Sequence, residues 1–364
     1  MAKQTEEELR AAEARTAGLV DEERLGRWMD AEGLPGAGEP VTSRFISGGA
    51  SNEIFEIRRG DFGAVLRRPP RVVPKGRNET MLREFRVLDA LNGTDVPHPE
   101  AFAACSDPDV IGSAFYLMSL VDGWSPMNTD GWPAPFDTDL DARYGLGIEL
   151  VDGIARLARV DWRARGLEGF GKPEGFHDRQ VDRWLSHLNA IQFREIPGLD
   201  VTAEWLRAHK PSHWEPGIIH GDYQFANVMF AHGAPARLAA IVDWEMTTVG
   251  DPLLDLAWAL LGYDGENPRA DGFYLDMQGM PTRSALLAHY EKVSGISTEN
   301  IDYYLVLANW KLGIVLEKTY ASAVRTGAQK GGVDPKIADA FRLMIPQLIA
   351  TSAELARSLP STRR

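Results

Sequence analysis

Gly217-Ile218-Ile219-His220-Gly221-Asp222-Tyr223-Gln224-Phe225-Ala226-Asn227-Val228-Met229-Phe230, followed by Leu238-Ala239-Ala240-Ile241-Val242-Asp243, is the stretch whose reading decides the fold. Ile218-Ile219, Val228–Phe230 and Leu238–Val242 are short β-branched or aromatic runs and read as three strands. Asp222 and Asn227 then fall on the loop between the first two, and Asp243 at the end of the third.

Phosphoryl transfer needs a set of this kind. A carboxylate orients the attacking hydroxyl, while metal ions on oxygen ligands bridge the phosphates. The interval from Asp222 to Asn227 matches that of a kinase catalytic loop, with Gly221 where Arg is usual, and Asp243 stands in the place of the metal-binding Asp. Alone, His220-Gly221-Asp222 would be a turn; the ordered trio carries the reading.

Upstream, Thr5-Glu6-Glu7-Glu8 is a capping box opening a helix to Ala17, and Asp21 caps a second through Asp30. After the Gly33–Pro40 linker, Phe45-Ile46, Ile54–Ile57 and Ala64–Leu66 read as strands, the first two joined by Ser47-Gly48-Gly49-Ala50-Ser51-Asn52. Asn78 is read as the N-cap of a helix carrying Leu82, Phe85, Leu88 and Leu91. Glu84 shares a stripe with Met81, Leu88 and Leu91, so it needs a partner if buried. Phe115–Val121 reads as one apolar strand. From Asp139 on the chain turns helical, with Leu146, Leu150, Ile154 and Leu157 marking one helix. Others are read at Asp178–Ala190, Val201–His209, Leu253–Leu261, Thr282–Val293, Ile301–Arg325 and Pro335–Leu359. Gly262–Pro281 reads as a loop or lid.

The 364 residues exceed what one core serves well, so two lobes are expected. A balance of 39 basic against 52 acidic residues, net −13, disfavours nucleic-acid and anionic-membrane partners. The lone Cys105 permits no internal disulfide. No apolar run nears the roughly 18 residues of a membrane span. The charged Met1–Leu19 segment does not look like a signal peptide, and a cytoplasmic location is expected.

The chain resembles the aminoglycoside phosphotransferase and choline kinase-like group of small-molecule kinases. The matching text is Ile219–Val228, Ile241-Val242-Asp243-Trp244-Glu245, Gly250-Asp251-Pro252 and Asp255-Leu256-Ala257. Ser47–Asn52, Leu66-Arg67-Arg68-Pro69-Pro70 and Val160–Leu167 resemble most the branch also found fused to acyl-CoA dehydrogenases.

The resemblance implies an α+β, two-lobed protein-kinase-like fold. Residues 1–38 would be a helical extension. Residues 39–121 would form a nucleotide lobe of antiparallel sheet and one main helix, and 122–364 a larger, mainly helical catalytic and substrate lobe. It implies Asp222 as the catalytic carboxylate, with His220 holding the loop. It implies Asn227 and Asp243 as ligands for Mg, and ATP, or alternatively GTP, as donor. Ser47, Gly48, Gly49, Ser51 and Asn52 would cover the phosphates, Arg67 and Glu84 would form the cation–carboxylate pair, and Ser119 and Val121 would meet the base. Glu245, Trp310 and Lys311 are acceptor-side candidates, with packing or solvation as the plainer reading. Asp251 and Asp255 read as a helix start and a bond back to the loop.

Arg67 departs from the usual Lys, and its planar fork fixes geometry differently; Arg68 and Lys75 are rivals for the phosphates. The short interval from Asp243 to Gly250-Asp251-Pro252 leaves no room for a protein kinase's activation segment. The expected activity is ATP- and Mg-dependent transfer to a small-molecule hydroxyl, on an aminoglycoside or on a hydroxylated metabolite such as a hydroxyacyl thioester. The competing expectation, raised by Arg67, is a nucleotide-binding pseudokinase module without turnover.

Overall fold

A computed structural model describes residues 14, 16–48, 52–129, 131–191, 194–269, 275–326 and 335–359. The helix expected up to Ala17 lies mostly outside them. Helix α1 (Glu22–Ala31) starts as expected, because the Asp21 side chain accepts the Arg24 N–H at 2.9 Å. Leu25 and Met29, one turn apart, are fully buried.

Strands β1 (Val41–Gly48), β2 (Glu53–Arg59) and β3 (Phe62–Arg68) precede helix α2 (Arg77–Leu91). Then come β4 (Ala101–Cys105), the single turn α3 (Pro108–Ile111) and β5 (Phe115–Met118). The five strands form one antiparallel sheet in the order β1-β2-β3-β5-β4. Phe45, Phe55, Ile57, Leu66 and Phe115 pack with Leu25 and Met29 into one core. The stripe of α2, with Met81, Leu88 and Leu91, joins Tyr116 and the helices beyond in a second, larger core.

Two features differ from the expectation. Asn78 does not cap α2. The helix starts at Arg77 after Gly76, and the Asn78 amide oxygen instead accepts the Ala114 N–H at 3.1 Å, tying the helix to the approach of β5. The strand expected to reach Val121 stops at Met118, because Ser119 folds onto Glu100. The Ser119 N–H donates to the Glu100 carbonyl at 2.8 Å, and the Ser119 hydroxyl accepts the Glu100 N–H at 2.9 Å.

The remainder is mainly helical: α4 (Leu140–Ala158), α5 (Phe176–Asn189) and α6 (Leu199–Ala208) come before the β6 (Gly217–Ile219), β7 (Val228–Phe230), β8 (Leu238–Ile241) and β9 (Thr248–Gly250) segment. Helix α7 (Leu253–Ala259), the hairpin β10 (Tyr263–Asp264) and β11 (Asn267–Pro268), then α8 (Arg283–Ser294), α9 (Ile301–Thr326) and α10 (Pro335–Ser358) follow. Asp139 caps α4 through the Ala142 N–H, and Leu146, Leu150, Ile154 and Leu157 all face the core. The loop after β11 is fastened to α4 and to the segment before it: Arg143 donates to the Asp276 carboxylate and the Gln278 carbonyl, and the Trp132 indole to the Asp276 carbonyl. Among the described residues no helix is long and apolar enough to cross a membrane.

Candidate active site

The central stretch forms two small ribbons side by side. β7 pairs with β8, while β6 pairs with β9, a strand that was not expected from the sequence. The Val242 N–H donates to the Asn227 carbonyl at 2.9 Å, so Asp243 leaves the ribbon directly beside Asn227.

The turn before Asp222 requires glycine. Gly221 has φ +90°, and a Cβ there would lie 2.6 Å from the Met246 carbonyl oxygen, so the Arg usual at this position has no place. Asp255 holds the turn from below, accepting the His220 N–H at 2.5 Å and the Gly221 N–H at 2.9 Å. Its carboxyl is raised above the usual value by burial, opposed by His220. His220 has no exposed surface; its Nε2 donates to the Val242 carbonyl at 2.9 Å, which leaves Nδ1 to face the Asp222 N–H at 3.4 Å. Both imidazole nitrogens are thus spent on bracing the loop.

Asp222 accepts three hydrogen bonds from side chains. Oδ1 takes the Gln224 amide and the Trp258 indole N–H, each at 2.9 Å, and Oδ2 takes the Asn227 amide at 2.8 Å. A carboxylate has about four acceptor positions, two per oxygen, so the open one is on Oδ2. Burial raises the Asp222 carboxyl above its ordinary value, against the pull of His220, Asn227, Lys311 and Trp258. Raising it strengthens the carboxylate as a proton acceptor.

Asp243 is the one non-glycine residue with positive φ, +66°, among the described residues. Such conformations are held by their surroundings and cluster at working sites. Its Oδ1 accepts from Arg67 Nη2 at 2.6 Å, and Arg67 Nε lies 3.1 Å from the Glu84 carboxylate, which also accepts the Tyr116 hydroxyl at 3.0 Å. Burial pushes the Glu84 carboxyl up to about 7, with Arg67 opposing. Burial also works against the Arg67 cation, but Tyr116, Glu84 and Asp243 outweigh it and keep it charged. Arg68 turns away to the carbonyls of Leu19 and Ile111, and Lys75 is exposed, so Arg67 is the cation facing Asp243.

Of the phosphate-loop residues, Ser47 and Gly48 end β1, and a Cβ on Gly48 would lie 2.0 Å from the Glu53 carboxylate. Gly49 and Ser51 lie outside the described residues. The Asn52 amide oxygen accepts from Arg77 Nη2 at 2.8 Å, and the same nitrogen donates to Glu245 at 2.6 Å. Arg77 therefore ties the loop's end to the Asp243 turn, and Glu245 is held there rather than aimed at an acceptor. The Ser119 N–H, spent on Glu100, is not one that a base could use; Val121 is half-buried.

A cavity of about 460 Å³ opens beside Asp222. Gln224 and Trp258, both bonded to Asp222, form one wall, and Phe225, Met277, Leu312, Leu316, Phe341 and Met344 supply much of the rest. Among the described residues no acidic or basic side chain lines it. Trp310 and Lys311 are not part of it. Trp310 has no exposed surface and donates its indole N–H to the Leu199 carbonyl, and the Lys311 ammonium donates to the Gly221 carbonyl at 3.2 Å. The helix around Trp310 does serve the cavity, but through the face carrying Leu312 and Leu316. Trp258 and Arg77 were missed from sequence. The signal for Trp258 was its place one turn after Asp255, on the same side of α7.

The oxygen donors suit a hard cation. The Asn227 amide oxygen carries no hydrogen bond among the described residues, the Asp243 side chain is 41% exposed, and magnesium favours such ligands. Among those residues no cluster of three or more His, Cys, Asp or Glu is placed to hold a metal unaided.

The phosphotransferase enzyme family model matches residues 42–293. Acyl-CoA dehydrogenase family member 11 of Gallus gallus is 31% identical over 328 residues, which cover 88% of this chain and 41% of that protein. The chain thus spans about two fifths of that relative's length. A crystal structure of a candidate aminoglycoside phosphotransferase from Ralstonia eutropha superposes with a TM-score of 0.79 at 28% identity, covering 93% of this chain and 98% of that one. The GDP complex of aminoglycoside 2'-phosphotransferase-IIIa shares the fold, with a TM-score of 0.60 at 15% identity over 91% of this chain and 99% of that one. The sheet with one main helix, the helical remainder, the His220–Asp243 segment and the family match agree: the chain belongs to the phosphotransferase enzyme family.

Proposed function

We propose that the protein transfers the terminal phosphoryl group of ATP, with magnesium, to a hydroxyl on a largely apolar small molecule. The observation that carries this reading is the juxtaposition of Asp222, with its one open acceptor position on Oδ2, and the uncharged cavity walled by Trp258 and Gln224. In this proposal residues 39–121 carry the nucleotide, and 122–364 supply the catalytic loop and the acceptor pocket. A nucleotide donor suits the cytoplasmic location expected from the sequence.

Asp222 Oδ2 accepts the hydroxyl proton as the oxygen attacks the terminal phosphorus and the bond from that phosphorus to the bridging oxygen breaks, releasing ADP, while Gln224, Trp258 and Asn227 fix the carboxylate plane. Asn227 and Asp243 would hold the magnesium, which would supply positive charge to neutralise the phosphates. Arg67 spans Glu84 and Asp243 and offers its remaining guanidinium edge to the phosphates. The Ser47–Asn52 loop, anchored by Arg77, covers them.

A lining with no charged side chain among its described residues disfavours a polycationic aminoglycoside, whose ammonium groups would lose hydration without gaining partners there. It suits an aliphatic chain that bears a hydroxyl, and among the expected acceptors that favours a hydroxyacyl compound. Parallel assays of transfer from ATP or GTP to hydroxylated acyl compounds and to aminoglycosides test the reading. Turnover confined to aminoglycosides would overturn the acceptor class, and nucleotide binding without transfer to either would favour the pseudokinase alternative.

A further inference from the structure

Lys311 is a buried cation that the proposed mechanism leaves without a task. It is 5% exposed on α9, and among the described residues no carboxylate lies within ion-pair distance of it. Its ammonium donates to the Gly221 carbonyl at 3.2 Å and sits over two indole rings, 4.6 Å from the centre of Trp258 and 5.2 Å from that of Trp184. A charge so enclosed is costly unless something nearby gains from it. Gly221 is the residue whose +90° φ turns the chain toward Asp222, and Trp258 is the residue whose N–H meets Asp222 Oδ1.

We propose that Lys311 is a positioning residue, holding the Gly221 turn by hydrogen bond and, from the face of Trp258, strengthening the indole N–H that fixes Asp222. A cation over the face of an indole draws electron density toward itself, leaving the ring N–H more acidic and a better donor to a carboxylate. The Gly221 bond fixes the backbone before Asp222, and the indole bond fixes its side chain. One ammonium therefore orients the base at two points without touching substrate. Burial depresses the Lys311 ammonium to about 8, with Asp255 and Asp222 supporting the charge and Arg183 opposing it.

The role rests on Asp222 being the base of the proposed reaction, so the test has one arm that needs no turnover. In protein labelled with ¹⁵N-tryptophan, the Trp258 indole N–H is assigned by its loss in Trp258→Phe. Lys311→Met should move that resonance upfield and leave the indoles remote from Lys311 in place. In the second arm, Lys311→Met should lower kcat roughly 10- to 100-fold while KM for nucleotide and acceptor stays within about twofold. Lys311→Gln, which restores a donor to Gly221 without the charge, should recover part of kcat and leave the Trp258 signal displaced. It also serves if Lys311→Met does not fold. An unmoved Trp258 resonance, or an unchanged kcat, would overturn the proposal. A wild-type protein with no transferase activity but a displaced signal in the variant would instead refute the proposed function alone.

Discussion

Lengthening the acceptor by one methylene at a time probes the apolar cavity directly. Each methylene moved from water into an apolar wall contributes about 0.8 kcal/mol, roughly a fourfold gain in kcat/KM when the contact persists in the transition state. The cavity measures about 460 Å³ and is walled largely by apolar side chains. In a homologous series of straight-chain hydroxy acids, log kcat/KM should rise steadily with chain length and then flatten once the chain outgrows the apolar wall. Steady-state release of ADP, coupled to product detection, reads the slope. Met344→Asp, which places a carboxylate among Leu312, Leu316 and Phe341, should flatten the slope and leave the nucleotide KM unchanged. A series with no dependence on length, or one in which a polycationic acceptor outpaces every member, would refute the assignment of the cavity to the acceptor.

Three further outcomes follow from the geometry around Asp222. Arg67→Met strands Glu84, 1% exposed, without its cation; stability should fall by up to roughly 3–5 kcal/mol in urea titrations, less where Glu84 takes up a proton, and nucleotide affinity should drop at least about tenfold. Gly221→Ala forces φ +90° on an L-residue and drives Cβ toward the Met246 carbonyl, so it should cost more than about 2 kcal/mol and abolish transfer; full activity would contradict the turn described. For Lys311, a depressed ammonium means that the unfolded chain binds more protons between about pH 8 and 10.5, so wild-type stability contributed by this group rises across that window. The stability difference between Lys311→Met and wild type should therefore shift by about 3 kcal/mol in favour of wild type from pH 7.5 to about 10.5; a constant difference would contradict the buried charge.

Much of the candidate site was legible because it is local. Asp222, Asn227 and Asp243 are set by strand and loop lengths within one segment, and Asp255 was read as bonding back to the loop, where it accepts the His220 and Gly221 N–H groups. The family resemblance was legible in the same residues. What escaped depends on how distant elements meet. Arg77 reaches Asn52 and Glu245 only once α2 packs beside the Asp243 turn. The end of β5 was misplaced because Ser119 is the one polar residue in the run Phe115–Val121, and the Ser119–Glu100 bonds that stop the strand there come from another strand's approach. On α9 Trp310 packs in the core, as its plainer reading had it, and the face that lines the cavity was not read. Trp310 turns to the Leu199 carbonyl, while Leu312 and Leu316 line the cavity, a rotation that composition does not reveal. The apolar character of the pocket was equally hidden, since a net charge of −13 says nothing about where charge is missing.

The most direct test of the account is single-turnover transfer from γ-labelled ATP, with magnesium, to a hydroxylated aliphatic acceptor, comparing wild type with Asp222→Asn. The account predicts transfer by the wild type and a loss of at least roughly 10²–10⁴-fold in the variant, with ATP binding retained, because the amide keeps the shape of the carboxylate but cannot accept the hydroxyl proton. Equal rates in the two proteins would contradict it.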